Sequence, residues 1–122
     1  MKKIGRKNGI IMFVTENVEL IKKLQIIKHM SFIVRIELNS NMIADFDVLH
    51  RAMQSRGFGH TIRGDDNKDY YLPKATYHAV SSSTAGEIRN IASEAVAQTG
   101  KTAEIIVAQY STCAWVGLKE VK

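Results

Sequence analysis

Two histidines, His60 and His78, fall in stretches whose alternation predicts neighbouring strands. If those strands pair as a hairpin, the two imidazoles can share one sheet face. Imidazole titrates near neutral pH, so such a pair could exchange protons with a substrate as general base and acid. The same pair could equally be part of a solvated sheet face. Arg63, three residues after His60, sits across the predicted turn from Tyr70 and Tyr71. A guanidinium can grip a phosphate with two parallel hydrogen bonds, and tyrosines can stack unpaired bases. An arginine lying over a tyrosine is also a common structural pair on an exposed sheet. His50 lies one turn before Met53 on a predicted helix, beside its apolar stripe, where a boundary role competes with a chemical one. Asp65 and Asp66 could attract a divalent ion, although adjacent acids at a turn tip ordinarily just solvate it. Ser81-Ser82-Ser83 reads as a loop, with no base poised to activate a hydroxyl. No Walker loop, no GxGxxG after a strand, no HExxH and no Cys/His pair at zinc spacing occurs. No metal site and no cofactor is therefore expected.

The elements that must carry these residues are legible. Phe32, Val34, Ile36 and Leu38 alternate with Ile33, Arg35 and Glu37, the signature of a half-buried strand. A helix follows to about Arg56, with Ile43, Phe46, Leu49 and Met53 on one stripe. Gly57 suits the left-handed residue just past its end. Strand His60–Arg63, a turn at Asp65–Lys68 and a return through Tyr70 and Leu72 form a hairpin, and Pro73 marks a break. Ala75–Val80 continues as strand. Thr84 and Glu87 have capping-box spacing, and the helix they start buries Ile88, Ile91, Ala92, Ala95 and Val96 before Gly100 closes it. Ala103–Tyr110 is the most strand-like run, and Trp115–Leu118 could add a short last strand. The order β-α-β-β-α-β predicts a ferredoxin-like α+β sandwich, an antiparallel sheet with two helices on one face.

The 122 residues make one domain, 31–122, behind a basic N-terminal extension, 1–30. The extension holds seven Lys/Arg and two acids, whereas the remainder holds ten of each. The net charge of +5 thus belongs to the extension, and a neutral body weakens the nucleic-acid reading that a basic protein otherwise invites. Within the extension Thr15 could cap a short helix presenting Val18, Ile21 and Leu24, and the lysines could touch RNA. The plainer expectation is a segment outside the domain, with Met30 as an alternative start. Its longest apolar run, Ile10–Val14, is too short for a membrane span or a secretory signal. A single cysteine, Cys113, fits a reducing cytoplasm, and no membrane association is expected.

The stretches SFIVRIEL, LHRAMQSRGFGHTIRGDD, YYLPKATY and WVGLKEV resemble the GhoS family of small bacterial proteins over about residues 31–121. The resemblance implies a type V toxin–antitoxin system, in which the antitoxin is an endoribonuclease that cleaves the toxin-encoding messenger. It also implies a ferredoxin-like fold similar to that of a small CRISPR-associated protein. The family's proposed catalytic arginines, on its first helix, align here with Val48 and His50, with Arg51 adjacent. The expected catalytic residues are thus His50, His60, Arg63 and Arg51. Tyr70, Tyr71 and His78 are expected to meet single-stranded RNA. The competing expectation is a non-catalytic regulatory module, of the kind phages and mobile elements encode. It would bind RNA or a partner protein, or pair as a homodimer, with Trp115 as an anchor.

Overall fold

A computed structural model describes residues 30–122. The expectations placed on the extension, the Thr15-capped helix and the RNA-touching lysines, lie outside the described residues. The order is β1 (Met30–Leu38), α1 (Ile43–Gln54), β2 (Thr61–Arg63), β3 (Asp69–Tyr71), β4 (Thr76–Ser81), α2 (Ala85–Ala97) and β5 (Ala103–Tyr110). This is an α+β domain with two sheets: three antiparallel strands in the order β4-β1-β5, and the β2-β3 hairpin.

β1 is central, pairing antiparallel with β4 on one side and β5 on the other. Phe32, Val34, Ile36 and Leu38 point to one face and are buried, while Arg35 and Glu37 on the other are exposed. Each such buried side chain contributes about 1.5–3 kcal/mol over its exposed state. Tyr77 and Ala79 of β4 extend that buried face, and Ile105 and Val107 of β5 pack against it. Above it lie Leu49, Ala52 and Met53 of α1 and Ile88, Ala92, Ala95 and Val96 of α2. The alanines of α2 let its backbone approach the sheet closely.

The helix ends follow local chemistry. Thr84 accepts from Glu87 N (3.2 Å) and Glu87 accepts from Thr84 N (2.7 Å), the reciprocal bonds of a capping box. Gly57 takes φ +89° just beyond α1, as a left-handed helix terminus requires. Ile43 departs from expectation: it is 78% exposed, as is most of Met42 before it, so the buried stripe of α1 begins only at Phe46.

The hairpin meets the main sheet at one point. Gly59 and His78 exchange both backbone hydrogen bonds, 2.9 and 2.7 Å, beside the edge of β4. β2 then turns away to pair with β3, Ile62 opposite Tyr70 and Arg63 opposite Asp69. At the turn, a Cβ on Gly64 would sit 2.7 Å from Asp66 Oδ1, 3.2 Å from the Tyr70 ring and 3.3 Å from the Trp115 ring, so a side chain there would displace the Asp66 carboxylate and crowd both rings. Trp115–Leu118 is not a strand. The chain end pairs with β3 slightly later, Tyr71 N donating to Lys119 O (2.8 Å) and Val121 N to Asp69 O (2.9 Å). Among the described residues no helix is long and apolar enough to cross a membrane.

Candidate active site

α1 carries His50 next to the buried Leu49, so its imidazole lies at the margin of the core, half-buried. Tyr77, 1% exposed, rises from β4 beneath it, and its hydroxyl lies 2.5 Å from His50 Nδ1. A tyrosine on a core face needs a partner for its hydroxyl, and His50 supplies it. Burial pushes the Tyr77 phenol well up, so the hydroxyl keeps its proton and donates. That bond assigns the proton of neutral His50 to Nε2, which faces away from Tyr77. Burial also lowers the His50 pKa; His60 adds to the effect, Asp47 opposes it, and Lys74 contributes a smaller lowering. Both its burial and the neighbouring imidazole thus favour the neutral form of His50.

His60 comes to the same place from the hairpin. Its backbone is pinned on both sides, by the Gly59–His78 bridge and by Leu72 N donating to His60 O (2.8 Å). Its ring lies 6.2 Å from that of His50, centroid to centroid, and stacks on Tyr71 at 5.8 Å with the planes 15° apart. Tyr71 is 43% exposed, leaving aromatic surface open beside the imidazole. Lys74 adds a cation nearby, its Nζ 3.9 Å over the Phe46 ring. An exposed imidazole, a second imidazole offering an N–H, an exposed stacking ring and a cation thus share one margin of the domain.

The other sequence candidates are placed elsewhere. His78 does not share a face with His60. Residues bridged across a sheet project to the same side, so Gly59 and His78 look one way and His60 the other. His78 lies on the sheet face away from the helices, its Nε2 2.6 Å from the Tyr110 hydroxyl. Burial lowers its pKa. Arg63 faces neither tyrosine: it pairs with Asp69 (Nε to Oδ1, 3.3 Å) and donates to Asn67 O (2.8 Å), bracing the turn. Tyr70 donates to Asp66 (2.5 Å) and packs its ring on Trp115 at 5.7 Å. That bond raises the Tyr70 pKa and lowers that of Asp66. Arg51 is exposed, about 100° round the helix from His50. A groove of about 450 Å³, lined by Arg63, Asp65, Tyr110, Cys113 and Trp115, contains neither imidazole of the pair.

Tyr77 and Lys74 were not singled out by sequence. The available signal for Tyr77 was its place between Ala75 and Ala79 on the inward side of β4, where a hydroxyl must find a partner. Lys74 carries no such signal. No protein-family model matches the chain, and no curated protein matches it.

Proposed function

We propose that this chain is a metal-independent endoribonuclease of the GhoS type, acting on single-stranded RNA in the cytoplasm from a ferredoxin-like domain. The observation that carries the proposal is the juxtaposition of His50 and His60, 6.2 Å apart, one of them fixed by Tyr77. His60 takes the proton of a ribose 2′-hydroxyl as its oxygen attacks the adjacent phosphorus. The P–O5′ bond breaks, and the imidazolium of His60 returns the proton to the departing 5′-oxygen. His50 Nε2–H donates a hydrogen bond to the phosphorane oxygen where charge accumulates, without giving up its proton. Tyr71 stacks a base beside the cleaved bond, and Lys74 draws in the backbone. The products are a 2′,3′-cyclic phosphate and a 5′-hydroxyl.

The ferredoxin-like assignment is supported by the strand order. β5-β1-β4 are paired in that order, and the isolated Gly59–His78 bridge, two residues before β2, brings the hairpin beside β4 where a fourth ferredoxin-like strand would lie. The test of the activity is an unstructured RNA oligonucleotide incubated with the protein in chelator. Cyclic-phosphate ends made by the wild type and lost with His60→Ala support the nuclease. Intact RNA, or equal cleavage by the variant, refutes it and favours the regulatory module.

A further inference from the structure

β5 is an edge strand, and its backbone parity shows what its outer side can bind. Asn39 N donates to Thr102 O (2.8 Å), and β1 and β5 continue without a bulge from that pair. In an antiparallel ladder, directly opposed residues alternate between bonded and non-bonded pairs. Glu104, Ile106, Ala108 and Tyr110 therefore turn their N–H and C=O groups towards β1. Ala103, Ile105, Val107 and Gln109 turn theirs outward, and among the described residues nothing pairs with them. Natural edge strands are usually blunted by lysines, proline, bulges or inward charges. β5 has a single charged residue, Glu104, over eight positions, no proline and no positive φ.

We propose that β5 pairs antiparallel with β5 of a second copy about a twofold axis through Ile106, joining two three-stranded sheets into one of six. Self-complementarity selects this register. Only with Ile106 opposite Ile106 of the other copy do all four outward residues find bonded partners within the strand. Ala103 then faces Gln109 and Ile105 faces Val107, each way. Shifting the register leaves Ala103 or Gln109 opposite a residue beyond the strand end. The same register sets Glu104 against Ala108 rather than against its own copy, so no like charges meet. On the open face Ile106, 67% exposed, meets itself in a non-bonded pair, the closer of the two kinds. On the helix side Ile105 and Val107, half-buried against the core, gain apolar neighbours from the second copy. The proposal does not depend on the catalytic reading, since neither His50 nor His60 lies on β5.

The full chain should sediment at twice the monomer mass at micromolar concentration. Ile106→Lys and Ile106→Glu, at an exposed position that leaves the fold intact by circular dichroism, should each raise the dimer dissociation constant at least about tenfold, through like charges opposed across the axis. Mixing the two variants should restore the dimer, because opposite charges then face each other. Independently, Ile106→Cys in a Cys113→Ser background should oxidise to a disulfide-linked dimer. A wild type that stays monomeric overturns the proposal, as does a dimer indifferent to Ile106→Lys. A mixture that stays monomeric overturns the register.

Discussion

Each face of the main sheet presents a tyrosine hydroxyl bonded to a histidine, and the two pairs differ in what surrounds them. On the helix side Tyr77 holds His50; on the open side Tyr110 meets His78 at 2.6 Å. Burial lowers both imidazole pKa values. A His–Tyr bond is thus by itself a way to satisfy buried polar groups. Only at His50 is there a second imidazole, a stacked exposed ring and a nearby cation. His78 instead sits across from Ile33, beside Gly59, which brings no side chain at all. The two bonds differ in their neighbours.

Substitutions can break that comparison. The largest effect is expected from His60→Ala, which removes the proposed base: RNA cleavage should fall about 10²–10⁴-fold with no loss of fold, measured by single-turnover rates and circular dichroism. Tyr77→Phe should come next. It frees His50 Nδ1 and the tautomer it fixed, lowering cleavage about five- to tenfold, the rate equivalent of one neutral hydrogen bond. It should also cost about 1 kcal/mol in urea unfolding. Tyr110→Phe is the matched control on the opposite face. It should cost comparable stability while leaving the cleavage rate unchanged; a rate loss as large as that of Tyr77→Phe would erase the distinction between the faces.

The smallest effect is on stability against pH. His50 and His78 both have native pKa values below the ordinary imidazole value of 6.5. The unfolded chain therefore binds protons first as pH falls, so their contribution is full above about 6.5 and is lost as pH drops from there through the lowered native values. Urea midpoints should decline with acidification through that window, and His78→Gln should flatten the decline.

Much of the scaffold was legible because it is set locally. The alternation of Phe32–Leu38, the Thr84–Glu87 box and the glycines at 57 and 100 each state their structure within a few residues. Ile43 misled because helical periodicity says which way a residue points, not whether anything lies opposite it. The site was half legible. His50 and His60 were both singled out, but His60 was matched with His78. That pairing turns on the position of a single bridge, and a shift of one residue reverses the face of every side chain. The register likewise sets Arg63 opposite Asp69 rather than either tyrosine, and it pairs with that carboxylate at the turn. The Lys119–Val121 pairing with β3 joins chain segments about 50 residues apart, beyond any local pattern.

The most direct measurement is the rate and end chemistry of cleavage of a single-stranded RNA in chelator, comparing wild type with His60→Ala and Tyr110→Phe. The expected result is 2′,3′-cyclic phosphate ends from wild type and Tyr110→Phe alike, and essentially none from His60→Ala. RNA left intact by the wild type, or cut equally by all three, would contradict the assignment of the His50–His60 pair as the catalytic centre.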